Sequence, residues 1–387
     1  MKEKMLIVGI TMPAAGTERA FLRYAASLSP ETTDVTLLLA EKEGALLPQI
    51  PPFVRVAEMG AGAGLFSLRR DNAVRVLVKE LFLPHPLRAL GAVRFLPGLL
   101  FGKNQHLAAE RLWVYAMKIC MPPLPETYDT AVAFWGDHTM FYTAEKVRAA
   151  KKIAWLHFEY DYPERDDTLY GKAFEAFDEI VTVSERTKRM LAEKFPSVAD
   201  RLTCHPNAVD AAEVRRLSEL PAEPVFTSDR INLLTVGRIH PVKGYDIALP
   251  AVLHLLAEGV PLRWTLIGGT GDSAYEKALR KQIDEAGAGE AVVFLGEKEN
   301  PFPYIKGCDL YLQPSRSESG ALAVMEALAL DRPVLCTDFE AAASLPESGK
   351  IRVCPKNSAA VETEIRLFIR ENSWPKSGKN QTAQELS

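Results

Sequence analysis

The sequence predicts an α/β protein of two Rossmann-like domains, each a parallel sheet covered by helices on both faces, and three observations lead there. The chain has 387 residues, more than one typical domain needs. Continuous apolar runs of strand length alternate with helix-length segments, the pattern of strands buried on both faces by crossover helices. The alternation weakens around residues 207–228, with Pro206, Pro221 and Pro224 and a polar stretch between them, and then restarts. The division that follows is an N-terminal domain over 1–209, a linker over 210–228 and a C-terminal domain over 229–387.

Taken in order, Met5-Leu6-Ile7-Val8-Gly9-Ile10 is long enough for a first strand and too short for the apolar core of a signal peptide. A loop over 11–17 leads into a helix over 18–28. Strands follow at 34–40, 130–135, 152–156 and 179–183, the last capped by Ser184 before a helix over 185–194. In the second half, strands fall at 232–236, 263–267, 291–295, 310–313 and 333–336. Helices fall at 245–258, 274–286, from 303, from 320 and at 359–372. No window approaches the run of about 18 apolar residues that a transmembrane helix requires.

Composition excludes several classes. Hydrophobic residues make up 47% and charged ones 25%, which describes a globular chain with ample apolar surface to bury. The net charge of −4 supplies no bulk cationic field, so nucleic acid is not an expected partner. Cys120, Cys204, Cys308, Cys336 and Cys354 are scattered and form no Cys-x-x-Cys pair, which reads as reduced thiols in a cytoplasmic protein.

Residues 65–120 break the alternation. Nine Lys and Arg oppose three Asp and Glu there, and the charges are interleaved with Leu81-Phe82-Leu83, Phe95-Leu96 and Leu99-Leu100-Phe101. Two core helices with snorkelling arginines account for this pattern, and so does a face that meets an anionic membrane or a lipid-linked substrate.

The most informative stretch is Pro314-Ser315-Arg316-Ser317-Glu318-Ser319-Gly320-Ala321-Leu322, continuing to Glu326, which sets two glutamates eight residues apart where a strand passes into a helix. With a helix from near Gly320, up to about 12 Å of axis would separate the carboxylates. The backbone N–H groups of Ser319, Gly320, Ala321 and Leu322 would lie between them, at a helix N-terminus suited to phosphate. Carboxylates repel phosphate, so Glu318 and Glu326 would accept hydrogen bonds from hydroxyls instead. A sugar–diphosphate–ribose ligand has that layout.

Its companion is Val236-Gly237-Arg238-Ile239-His240-Pro241-Val242-Lys243-Gly244, after the first strand of the second domain. Gly237 permits close backbone approach, and Arg238 and Lys243 can converge on one diphosphate at a strand end, where open α/β sheets bind ligands. Gly269-x-Gly271-x-x-Ala274 imitates a dinucleotide fingerprint. It is not on the first strand of its domain, however, and Glu297 falls late for the acidic partner.

Together these segments resemble the Glu-x7-Glu signature and the Gly-Arg…Lys-Gly loop of retaining nucleotide-sugar glycosyltransferases of family 4. The resemblance spans roughly residues 5–370 and implies the GT-B fold, two Rossmann-like domains facing across a cleft that closes on its substrates. It implies that Glu326 holds ribose hydroxyls, Glu318 holds the sugar, and Arg238 and Lys243 neutralise the departing diphosphate. Gly269 would lie in a glycine turn beside the nucleotide. Gly16, Glu18 and Arg19 are similar to the family's Gly-Gly-x-Glu-Arg loop, with Ala15 in place of the first glycine. His157, after an apolar strand, is similar to the family's histidine that contacts the donor sugar. His205-Pro206-Asn207-Ala208-Val209-Asp210 is similar to its Pro-Asn-Gly-Val-Asp hinge, with Ala208 in place of glycine.

Two departures change what is expected. Ser319-Gly320-Ala321 stands where the family has Gly-aromatic-Gly, which alters the sugar pocket. After residue 372 only a polar segment over 373–387 remains, where the family has helices that cross back to the first domain, so loosely coupled lobes are expected.

The resulting expectation is a hexosyltransferase-type, retaining enzyme that moves a sugar from a UDP-linked donor to a saccharide or lipid-linked acceptor in cell-surface polysaccharide or glycoconjugate synthesis. No Asp-x-Asp is present, and no metal or cofactor is expected. The expected location is the cytoplasm, with peripheral contact to the inner face of the plasma membrane through 65–120. Two alternatives stay open: a nucleotide-sugar epimerase on the same fold, which needs no acceptor, and a non-catalytic nucleotide-sugar-binding subunit of a glycosylation complex.

Overall fold

The computed structural model describes residues 2–68, 72–102, 105–161, 164–207, 209–318 and 320–372. The chain divides into two compact units between Asn207 and Ala208.

In the first unit the strands are β1 (Glu3–Gly9), β2 (Thr33–Leu39), β3 (Arg55–Glu58), β4 (Thr127–Ala133), β5 (Arg148–Leu156), β6 (Glu179–Thr182) and β7 (Leu202–Cys204). Among the described residues they form one seven-stranded sheet in the order β3-β2-β1-β4-β5-β6-β7, parallel throughout. The inner strands are covered on both faces. Leu6, Val8 and Ala131 enter one apolar cluster, while Ile7, Val132 and Phe134 enter another. Period-two alternation sends neighbouring side chains to opposite faces, and here both faces are dry.

The second unit holds β8 (Ile231–Val236), β9 (Leu262–Ile267), β10 (Val292–Gly296), β11 (Leu310–Gln313), β12 (Val334–Thr337) and β13 (Ile351–Cys354). Among the described residues they form a six-stranded parallel sheet in the order β10-β9-β8-β11-β12-β13. Its two faces are again separately packed. A buried tie crosses the centre: Trp264 Nε1 donates to Thr235 Oγ1 at 3.0 Å, and Thr235 Oγ1 donates to the Leu312 carbonyl at 2.5 Å.

In both units the order reverses beside the first strand, between β1 and β4 and between β8 and β11. The loops leaving such a pair diverge to opposite faces and open a crevice at the carboxyl ends, the place where open α/β sheets bind ligands.

The segment expected as a linker, 210–228, carries the helix Ala211–Ser218, N-capped by Asp210, whose side chain accepts from Ala212 N and Glu213 N at 3.0 Å. Val214 is buried in the apolar cluster of the second unit, so this stretch is part of that unit and not a free connection. Strands β3, β7 and β13 have no counterpart in the pattern of apolar runs. They are short outer strands, only partly covered, and lack the continuous apolar signature of the inner ones.

Within 65–120 the described residues form short helical turns that pack Leu65, Leu77, Leu81, Leu99 and Trp113 into the core of the first unit. The same turns leave Leu87 85% and Phe101 82% exposed. Arg69, Arg70, Asp71 and Lys103, read as part of that basic segment, lie outside the described residues, as do Ala208 and 373–387. No helix among the described residues is long and apolar enough to cross a membrane. All five cysteines are free thiols, and burial pushes the Cys308 pKa up to about 12.

Candidate functional site

At the switch point of the second unit, β8 ends at Val236 and β11 ends at Gln313, and the two loops that follow carry Arg238, Lys243 and Glu318. Gly237 is held by its N–H on the Ile267 carbonyl at 2.8 Å, while its own carbonyl accepts from the Tyr245 hydroxyl at 2.6 Å. The loop then turns back at Gly244, which has φ +65°. A side chain at that position would come within 1.9 Å of the Pro314 carbonyl oxygen, so glycine is what lets the two loops touch.

That approach brings Lys243 Nζ to 2.7 Å from Glu318 Oε1. Both side chains are largely enclosed, at 20% and 12% exposed, so the pair is screened less than a surface ion pair. Glu318 Oε1 also accepts from Gln313 Nε2 at 2.7 Å and from Ser315 Oγ at 2.6 Å. Arg238 lies exposed on the same loop.

A second clamp fixes the loop from outside. Arg316 donates to the Pro241 carbonyl at 2.7 Å and makes a bidentate pair with Asp246 at 2.8 and 2.7 Å, while its N–H donates to the Val242 carbonyl at 2.7 Å. Burial alone would raise the Asp246 carboxyl. The Arg316 fork and the Tyr275 hydroxyl outweigh it and hold the group below its ordinary range.

Glu326 is 5% exposed, on the helix Leu322–Ala329. The Tyr311 phenol is raised first by burial, and the charges of both Glu326 and Glu318 add to that rise. The eight-residue spacing leads one to expect Glu318 and Glu326 around the start of one helix. The helix, however, begins at Leu322 rather than near Gly320, so Glu318 belongs to the preceding loop and the axial spacing does not apply to it. Ala321, at φ +42°, is the N-cap residue in the left-handed region and makes no side-chain cap. Ser319 lies outside the described residues.

The glycine turn after β9 joins this assembly. Gly268 has φ +154°, and a Cβ there would lie 2.0 Å from the Gly237 carbonyl oxygen. The next residues zip to the lysine loop: Ile239 N donates to the Gly269 carbonyl at 2.9 Å, and Gly271 N donates to the Ile239 carbonyl at 3.1 Å. The helix that follows, Ser273–Glu285, is already N-capped by the Asp272 carboxylate, which accepts from Tyr275 N at 3.0 Å. A carboxylate at the helix start takes one of its free N–H groups and repels a dinucleotide pyrophosphate, which disfavours the fingerprint reading.

The first unit places its candidates at its own switch point. Gly16 is exposed at the start of the helix Gly16–Ser27, and Glu18, 6% exposed, accepts from Trp135 Nε1 at 2.8 Å. That bond ties the helix after β1 to the loop after β4. His157 follows β5 and stacks on Trp155 at 5.8 Å and 6°, with Phe134 at 4.6 Å. Burial pushes its pKa down to about 3, so the ring is a neutral imidazole.

Sequence reasoning missed Tyr311, Gln313, Ser315 and Arg316 as parts of the site. The available signal was Gln313, a polar side chain closing the apolar strand Leu310-Tyr311-Leu312, since a buried amide at a strand end must find partners.

Residues 218–384 match the family described as glycosyl transferases group 1. The chain is 30% identical over 226 residues to D-inositol 3-phosphate glycosyltransferase of Acidothermus cellulolyticus, covering 52% of this chain and 47% of that protein. It is 32% identical over 119 residues to lipopolysaccharide core biosynthesis mannosyltransferase LpsB of Rhizobium meliloti, covering 29% and 33%. The chain spans about half the length of the first curated relatives it matches. Among solved structures, Anabaena Alr3699/HepE in complex with UDP-glucose superposes with a TM-score of 0.63 at 16% identity, covering 96% of this chain and 91% of that one. Sucrose-phosphate synthase from Thermosynechococcus elongatus gives 0.63 at 15%, with the same coverage. The fold is that of GT-B glycosyltransferases.

Proposed function

We propose, from a C-terminal unit whose residues 218–384 match the group 1 glycosyl transferases, that this protein transfers a hexose from a UDP-linked sugar to a saccharide or lipid-linked acceptor in cell-surface polysaccharide or glycoconjugate synthesis, with retention at the anomeric carbon and without a metal ion. The observation that carries the proposal is the contact of Lys243 with Glu318 at 2.7 Å at the β8/β11 switch point. There a cation suited to the diphosphate meets a carboxylate suited to the sugar. The choice of uridine is supported by HepE, a protein of the same fold solved with UDP-glucose.

In this reading the bond from the anomeric carbon to the phosphate oxygen breaks as the acceptor oxygen bonds on the same face, and the acceptor proton passes to the leaving phosphate. Lys243 and Arg238 stabilise the charge that develops on the diphosphate, the largest electrostatic demand of the reaction. Glu318 orients the sugar through its hydroxyls, and Glu326 holds the ribose. Gly237, Gly269, Gly320, Ala321 and Leu322 line the backbone approach. The roles of His157, Gly16 and Ser319 belong to the same proposal and rest on the resemblance alone.

The enzyme is further proposed to work in the cytoplasm in peripheral contact with an anionic membrane. Val74, Val78, Leu83, Leu87, Leu90 and Phe101 are exposed apolar side chains within 65–120, and Arg75, Lys79 and Arg94 are exposed cations among them. Apolar insertion combined with charge attraction is what a monotopic membrane face requires.

A thermal-shift screen of UDP, GDP and ADP with their sugars identifies the donor. NMR of the product with and without EDTA then reads the anomeric outcome and the metal requirement. A retained anomer formed in EDTA is expected. An inverted product, abolition by EDTA, or no stabilisation by any nucleotide contradicts the proposal.

A further inference from the structure

Glu318 is held by more than its lysine. Gln313, 2% exposed, uses both ends of its carboxamide. Its Nε2 donates to Glu318 Oε1 at 2.7 Å and to Ser315 Oγ at 2.8 Å, and its Oε1 accepts from the Tyr311 hydroxyl at 2.9 Å. A flipped amide would set its oxygen against the carboxylate, so the Glu318 anion fixes the orientation. Ser315, fully buried, donates to the same Oε1 at 2.6 Å, and its own carbonyl accepts from Thr337 Oγ1 at 2.5 Å. The chain of bonds reaches back to β8, where Val236 N donates to the Tyr311 hydroxyl at 3.3 Å.

The three donors to Oε1 are not equivalent. Lys243 reaches it on a long stem from the loop and is 20% exposed. Gln313 and Ser315 are short side chains locked in the core of the sheet end. A bound diphosphate competes for the lysine, because a phosphate carries more charge than one carboxylate. At that moment, among the described residues, Gln313 and Ser315 are the side chains that still hold Glu318.

Resting on the nucleotide-sugar reading above, we infer that Gln313, assisted by Ser315, is the positioning residue that keeps Glu318 aimed at the donor sugar once Lys243 turns to the diphosphate. Gln313 touches no substrate in this scheme. It fixes Oε1 and leaves Oε2 as the oxygen offered to a sugar hydroxyl. The same contacts explain why a polar side chain ends an otherwise apolar strand.

The test compares binding of UDP with UDP-glucose, and of GDP with GDP-mannose as the second pair, by calorimetry on wild type, Gln313→Leu, Gln313→Glu and Ser315→Ala. The readout is the gain in affinity that the sugar adds to the bare nucleotide, taken relative to wild type at the same pH. Gln313→Leu is expected to bind the nucleotide as wild type does and to lose about 10-fold or more of the sugar's gain. Gln313→Glu sets two carboxylates face to face. Its gain is expected to vanish near pH ~8 and to return near pH ~5, where the pair shares a proton that restores the hydrogen bond. Mere packing gives no such response to pH. An undiminished gain in both Gln313 variants, or an equal loss for nucleotide and nucleotide sugar, overturns the inference. Should Gln313→Leu fail to fold, Ser315→Ala carries the test, with a severalfold loss supporting the inference and an unchanged gain overturning it. If wild type binds nucleoside diphosphates but gains nothing from either sugar, the nucleotide-sugar reading itself falls, and the inference with it.

Discussion

At Lys243 a single ammonium has two claimants. Glu318 holds it at 2.7 Å, and a diphosphate would compete for it. Lys243→Ala should therefore cost more than one hydrogen bond, since it also leaves Glu318 with an uncompensated charge, and turnover should fall further than acceptor binding does. Ala321 poses a different problem. It sits 4% exposed at φ +42°, a conformation that costs an L-residue roughly 1–2 kcal/mol and glycine almost nothing. Ala321→Gly should raise stability by roughly 0.5–1 kcal/mol, after the larger entropy loss of glycine on folding is subtracted. Urea unfolding checks this, and a loss of stability would show that the position is not strained. His157 is a third case. Its pKa, about 3 in the folded chain, lies below the unfolded value near 6.5. The stability it contributes is therefore present above the unfolded pKa and lost as pH falls toward the folded one. The wild-type Tm should drop more steeply than that of His157→Phe as pH falls below about 6.5, and parallel curves would contradict a neutral buried ring.

Among the elements, β8 and β11 are the pair on which the site depends. Thr235 bridges Trp264 and the Leu312 carbonyl inside the sheet. Thr235→Val keeps the shape but strands the indole N–H, with an expected loss of about 1–3 kcal/mol by chemical denaturation. A loss under about 0.5 kcal/mol would mean that the tie is not what joins these strands. The inner strands were legible in the sequence because burial on both faces makes them continuous apolar runs, and β8, β9 and β11 fall within a residue or two of their predicted bounds. Strands β3, β7 and β13 were not legible, because an outer strand needs no such run. At the site, Glu318 and Lys243 were readable as charges close to glycines after a strand end, and Glu326 by its eight-residue spacing from Glu318. Arg316 and Ser315 were not. Their parts depend on Gly244 letting the second loop come within contact of Pro314, and no spacing along the chain encodes that approach.

For the whole molecule, two further behaviours follow from groups in the first unit. Glu110 is 2% exposed, and burial, outweighing the N–H of Asp166 and the charge of Arg165, pushes its pKa up to about 8. The folded chain thus holds a proton that the unfolded chain releases near pH 4.5. That stability is complete below the unfolded pKa and is lost as pH rises toward 8, so wild type should lose Tm over this window while Glu110→Gln stays flatter. The exposed apolar and basic face of 65–120 predicts flotation with vesicles of anionic lipid and none with neutral lipid, with Leu87→Asp and Phe101→Asp together abolishing it. No flotation with either lipid would remove the membrane, and equal flotation with both would remove the role of charge.

The most direct test is calorimetric titration of UDP and GDP onto wild type, Lys243→Ala and Glu326→Ala. Wild type is expected to bind one nucleoside diphosphate in a single site, and each substitution to weaken it by about 10- to 100-fold without changing the fold by circular dichroism. Wild-type affinity retained in both variants would contradict the placement of the donor at the ends of β8 and β11.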